Sequence, residues 1–204
     1  MVLEGSGASV PPVAWDAGVL VARAAGAEAQ LTQGLGPYRL LLSDLVVLTM
    51  AVSPQAGLEN LPALRSLVQR IRGDARLIVT DFEPVPLDDV QGRDAFFATT
   101  APPEVAARQA ASIQARCGCR VVGWSARLAD RAGLRRDMDE AEGFDVLLTE
   151  LKAAAVDVAA RYAEAQGARV VFVDNRPVTV EGDGDLPGEL DRVLRLAGER
   201  RAAR

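Results

Sequence analysis

The chain has 204 residues, 49% of them hydrophobic and 25% charged, with a formal net charge of −5. That fits one large globular domain or two small ones with a sizeable core, and the acidic balance argues against nucleic acid as a partner. No apolar run reaches the roughly 18 residues of a membrane helix, and the first residues lack the basic-then-apolar pattern of a secretion signal, so a cytoplasmic protein with no membrane partner is expected.

In chain order, Met1-Val2-Leu3 reads as a short buried strand that ends in Glu4-Gly5-Ser6-Gly7, an acid followed by two glycines that let the backbone turn sharply against a ligand. Ala8 to Val13 contains two prolines and is an extended loop. Ala17 to Ala22 reads as a short buried strand, Gly26 to Gly36 as a glycine-punctuated segment, and Tyr38 to Asp44 fits a short helix. Asp44 to Met50 is a continuous aliphatic strand of the kind buried in a parallel sheet. The spacing of Leu58, Leu61, Leu64, Leu67, Val68 and Ile71 predicts an amphipathic helix over Gly57 to Arg72. Arg76 to Phe82 is a strand and Glu83-Pro84-Val85-Pro86 a stiff connection. Further strands are expected at Ala95 to Thr99, Arg120 to Trp124, Gly143 to Leu148 and Ala168 to Val173. Helices are expected from Thr99-Thr100-Ala101-Pro102-Pro103 to Arg116, over Ser125 to Arg136, from the Thr149-Glu150-Leu151-Lys152 turn to Gln166, and over Leu186 to Leu196, with a frayed tail from Glu199.

Strands and helices alternating at about this spacing predict an α/β fold of three layers with a mostly parallel sheet. Ligands of such sheets bind outside the carboxyl ends of the strands. Polar groups stand at four such ends: Glu4 to Ser6, Thr80-Asp81, Thr149 to Lys152 and Asp174-Asn175-Arg176. Histidine is absent, which removes Ser-His-Asp and Cys-His catalysis and histidine metal sites. Of 23 basic residues Lys152 is the only lysine. A lysine kept where arginine is otherwise used suits a point contact to one phosphate oxygen or a proton transfer. It lies in the first turn of a helix, where a cation opposes the helix dipole unless it neutralises a bound anion. Arg176 offers a bidentate fork to phosphate or carboxylate, and Glu4 is a carboxylate of the kind that holds Mg²⁺. Cys117 and Cys119 read as small buried residues at the start of a strand. Neither G-x-x-x-x-G-K-[ST] nor G-x-G-x-x-G occurs.

The ordered blocks EGSGASVPPV, GPYRLLLSDLVVLTM, FFATTAP, LLTELKAAAVDVAA and VVFVDNRPV resemble the cyclic 2,3-diphosphoglycerate synthetase family over essentially the whole chain. Members of that family are longer and carry an N-terminal domain and a P-loop-type segment before the EGSG block. The resemblance therefore implies a C-terminal portion that lacks both: residues 1–90 as the remnant of a dethiobiotin-synthetase-like P-loop domain, and 91–204 as a C-terminal α/β domain. Such a chain is a fragment, one half of a split enzyme working with a separate P-loop-bearing chain, or a non-catalytic binder of phosphometabolites. The implied family reaction is ligase chemistry, ATP-dependent closure of 2,3-diphosphoglycerate into a cyclic phosphoanhydride with ATP and Mg²⁺. Glu4, Gly5, Ser6 and Gly7 then fall on the nucleotide side, with Glu4 toward the metal. Thr149, Lys152, Asp174, Asn175 and Arg176 fall on the substrate side, and Lys152 and Glu150 are the catalytic candidates. This reading leaves room for a homo-oligomer.

Overall fold

A computed structural model describes residues 1–5, 10, 12–51, 60–141, 143–151 and 156–204. The chain divides into two compact units: Met1–Phe82 together with Pro177–Arg204, and Glu83–Arg176. The expected grouping of 91–204 differs from this division, because the last 28 residues of that span, Pro177–Arg204, cluster with the first unit. The fold is α/β, and the pairs β1–β2, β2–β3, β4–β5, β4–β6 and β6–β7 described below are all parallel.

In the first unit β1 (Val19–Arg23), β2 (Leu45–Thr49) and β3 (Arg76–Pro86) lie side by side, with Val19 opposite Leu45 and Leu45 opposite Arg76. Helices α1 (Ala27–Thr32), α2 (Gly36–Leu41) and α3 (Leu61–Ile71) pack on one face, where Leu31, Leu40, Leu64 and Val68 meet Val46, Leu48, Leu77 and Val79. The alternate residues Leu45, Val47 and Ile78 face the other way and meet Val193 of α7 (Leu186–Ala202). Burial on both faces is why β2 is aliphatic throughout. Each such side chain contributes about 1.5–3 kcal/mol.

Several local expectations give way here. Met1–Gly5 are exposed and form no strand; three apolar residues fall short of the roughly five a ladder uses. β1 exposes Val19 and Val21. The glycine-punctuated segment contains α1, held by the buried Ala27 and Leu31. α7 runs on to Ala202, because Arg192 and Arg200 near its end have partners in the sheet. Ser6, Gly7, Gly57 and Leu58 lie outside the described residues.

Those partners converge on Asp44, which is 2% exposed. Its carboxylate accepts from Gly18 N–H at 3.0 Å, Arg72 at 2.8 Å and both Nη atoms of Arg200 at 2.9 Å. Arg192 donates to its carbonyl at 2.8 Å. Burial alone would raise the Asp44 carboxyl. The Arg200 and Gly18 hydrogen bonds and the charges of Arg200 and Arg72 outweigh burial and hold it below the ordinary value.

The second unit has the strand order β7-β6-β4-β5, from β4 (Asp94–Ala98), β5 (Arg120–Ser125), β6 (Val146–Glu150) and the first part of β7 (Arg169–Gly182). α4 (Pro103–Cys117) packs on one face through Ala110 and Ile113 against Phe97 and Leu148. α5 (Arg131–Glu140) and α6 (Val156–Ala165) pack on the other through Leu134, Met138 and Ala159 against Phe96 and Leu147. The chain leaves β4 for β5 on one side and returns to β6 on the other. The strand order therefore reverses between β4 and β6, and such switch points open a crevice at the carboxyl ends. β3 absorbs the expected connection Glu83–Pro86 and β7 runs through the expected turn Asp174–Pro177. Pro84 and Pro86 project their missing donors to one side of β3, and from the other side Leu87 N–H reaches Phe172 O at 2.8 Å. Among the described residues no helix is long and apolar enough to cross a membrane.

A depressed Asp44 adds stability that is present above its unfolded value of about 3.9 and is lost as pH falls through the lower folded value. Asp44→Asn is expected to cost about 2–4 kcal/mol near neutral pH and to flatten the wild-type fall in melting temperature on acidification below about pH 4. Thermal unfolding of both proteins over a pH series checks this.

Candidate functional site

The switch point of the second unit is built around Glu150, the last residue of β6 and only 9% exposed. The pleat fixes where it points. Val146 and Leu148 face α4 while Leu147 faces α5 and α6, so Glu150 falls on the α4 side and Thr149 on the other. Glu150 Oε1 accepts from the Thr99 hydroxyl at 2.7 Å and from Asn175 Nδ2 at 3.0 Å. Oε2 accepts from the Thr100 N–H at 3.1 Å and its hydroxyl at 2.8 Å. The Thr99 oxygen in turn accepts from Ala101 N–H at 3.0 Å. One carboxylate thus ties the exit of β4 to β6 and β7.

A carboxylate has about four acceptor positions, and all four are occupied. This geometry orients its neighbours, and all four donors are neutral groups. Two further oxygens, Thr149 Oγ1 and Asn175 Oδ1, are buried with no partner. Such atoms call for a ligand or an ordered water.

The other predicted residues fall as follows. Asp174 and Arg176 flank Asn175 on β7 and pair with each other at 3.2 Å, both about half exposed. Because the strand continues through them, they are not a strand end. Lys152 lies outside the described residues. Glu4 and Gly5 are exposed and irregular. Thr80 is buried and its hydroxyl reaches Leu48 O at 3.4 Å. Thr99 and Thr100 were legible as polar residues closing an apolar strand before a proline-started helix, yet they were not read as site residues.

Among the described residues no group of three or more His, Cys, Asp or Glu could hold a metal ion. In the first unit a cavity of about 640 Å³ is lined by Trp15, Tyr38, Asp44, Arg72 and Arg200. It lies at the amino end of β2, away from the edge where open sheets bind ligands, and both arginines already serve Asp44.

Comparison with known proteins sets this geometry in a family. A model described as cyclic 2,3-diphosphoglycerate synthetase, P-loop domain, matches residues 1–81. One described as cyclic 2,3-diphosphoglycerate synthetase C-terminal domain matches residues 86–176. Proteins named cyclic 2,3-diphosphoglycerate synthetase align from Rubrobacter xylanophilus (43% identity, covering 98% of this chain and 45% of the relative) and Methanothermobacter thermautotrophicus (39%, covering 100% and 43%). A third, from Methanothermus fervidus, is 37% identical over 97% of this chain and 43% of its own length. The chain is an α/β protein with a P-loop-type domain and a further C-terminal domain. It belongs to the cyclic 2,3-diphosphoglycerate synthetase family and spans slightly under half the length of these relatives. The expectation that the P-loop domain is missing is corrected by the match over 1–81. The domain match follows the strands and helices of the first unit, whereas the G-x-x-x-x-G-K-[ST] motif does not occur in the 204 residues.

Glu150→Gln replaces an acceptor with an amide donor facing donors. It is expected to destabilise the protein by about 2–4 kcal/mol, read as a lower urea midpoint with an unchanged slope.

Proposed function

We propose that the second unit binds 2,3-diphosphoglycerate at the carboxyl edge of its sheet, as part of the ATP-dependent closure of that compound to its cyclic phosphoanhydride. The observation that carries this reading is the Glu150 hub at the switch point, within the segment that matches the family's C-terminal domain. Ring closure brings two phosphates of one molecule together, so the protein's task is alignment and charge neutralisation. Lys152 and Arg176 supply positive charge. The Thr149 hydroxyl, which has no acceptor in the protein, offers a donor to a phosphate oxygen. Asp174 holds Arg176. Glu150 acts as a positioning residue that fixes Thr99, Thr100 and Asn175.

Nucleotide binding belongs to the first unit on this reading, supported by the P-loop-domain match. The placing of Glu4, Gly5, Ser6 and Gly7 on the nucleotide side rests on the resemblance of the EGSG block alone. A metal role for Glu4 rests on the same resemblance. A second reading, a non-catalytic binder of phosphometabolites, is favoured by one observation: the carboxylate at the hub, Glu150, is committed to four neighbouring donors.

Incubating the chain with 2,3-diphosphoglycerate, ATP and Mg²⁺ and following phosphorus resonances separates the two. Cyclic product supports the enzyme, saturable binding without product supports the binder, and no binding at all overturns both. Lys152→Ala is expected to weaken binding about tenfold, or about 1.4 kcal/mol, with the melting temperature unchanged; calorimetric titration and thermal unfolding check it.

A further inference from the structure

The four donors to Glu150 are neutral, so a polyanion held at the same edge requires cations placed against it. One arginine there is fixed in an unusual way. Arg127 follows β5 directly, in the loop that leads to α5. Its Nη1 donates to Asp137 Oδ1 at 3.0 Å, while the other oxygen of Asp137 accepts the hydroxyl of Ser125. The Ser125 oxygen accepts the backbone N–H of Arg127 at 3.1 Å, which closes a ring of three residues. Ser125 is 1% exposed, and the Arg127 side chain is 52% exposed.

Two more contacts fix this loop. A Cβ added at Gly133 would stand 2.4 Å from Asp130 Oδ2, the carboxylate that caps α5, and 2.6 Å from Arg127 Cδ, so the bare first turn of α5 makes room for both. Leu128 N–H donates to Thr99 O at 3.2 Å, and Thr99 N–H to Ser125 O at 2.9 Å. The loop therefore crosses the carboxyl end of β4 and is bonded to the same threonine whose hydroxyl serves Glu150. An exposed ion pair returns little stability against the freedom that a long side chain gives up. A buried serine and an aspartate committed to one half-exposed guanidinium make better sense as preorganisation for a ligand.

We infer that Arg127 contacts a phosphate group of the ligand at the carboxyl edge of the second unit, with Asp137 and Ser125 as its positioning residues. The inference rests on the proposed binding of a bisphosphorylated metabolite by this unit. Its mark is selectivity: a residue that meets one phosphate of two raises affinity for 2,3-diphosphoglycerate over whichever monophosphate, 2- or 3-phosphoglycerate, lacks that group. The full chain titrated calorimetrically with all three compounds tests it. Arg127→Gln is expected to lower one of the two affinity ratios, diphosphate over monophosphate, about tenfold with an unchanged melting temperature, Arg127→Lys to restore part of it, and Asp137→Asn to lower it roughly threefold. Both ratios unchanged in Arg127→Gln, or equal weakening for all three compounds with a lowered melting temperature, overturns the inference and leaves the binding reading standing. Failure of the wild-type chain to bind 2,3-diphosphoglycerate overturns both.

Discussion

A charge taken out of water has to be met by donors, and two buried carboxylates, Asp44 in the first unit and Glu150 in the second, show how this protein does it. The two are met in different ways. Asp44, at the amino end of β2, is met by guanidinium groups from Arg72 and Arg200 together with one backbone amide. Opposite charges cancel there, and the arrangement locks helices to the sheet. Glu150, at the carboxyl end of β6, is met by two hydroxyls, an amide and one backbone N–H. Nothing cancels its charge among those four donors. The first carboxylate is therefore a fastening, while the second is a fixed negative point that gives shape to an edge.

That difference decides what the edge can hold. A phosphate group brought beside Glu150 alone would be repelled. The Thr100 N–H is already spent on Glu150. Affinity for a polyanion has to come from cations around the hub, and Arg176 on β7 and Arg127 after β5 are both half exposed and both steadied by an aspartate. Glu150 would set the geometry and the arginines the charge. Such a division fits ring closure between two phosphates, which asks for alignment under high negative charge more than for acid–base groups.

The alternation of strand and helix was legible in the sequence because β2, β4 and β6 are buried on both faces and carry unbroken aliphatic runs. Their bounds lie within a few residues of the expected ones. The reading failed where local preference lost to pairing. Asp174-Asn175-Arg176-Pro177 has the residues of a turn, yet a sheet neighbour on β6 keeps the strand straight up to it and β7 continues to Gly182. Glu150 and Asn175 both stand out in the sequence, but their hydrogen bond joins residues 25 apart, and the two threonines that follow β4 lie 50 and 51 residues from Glu150. No local pattern encodes which strand ends become neighbours. Only the reversal of strand order does, and that depends on which face each helix takes.

The same limit explains the position of the chain's end. Residues 177–204 fall outside both matched family ranges, although the alignments to relatives reach across nearly the whole chain. By sequence order they belong after the C-terminal domain. Physically they belong with the first unit, since α7 covers Leu45, Val47 and Ile78 and delivers Arg200 to Asp44. Without α7 one face of β2 would lie bare and Asp44 would keep only Arg72 and the Gly18 amide as partners. The first unit is consequently discontinuous in sequence. Its last helix is made from residues that follow the other unit in the chain, and a buried acid preceding a strand early in the sequence is satisfied only when that helix returns.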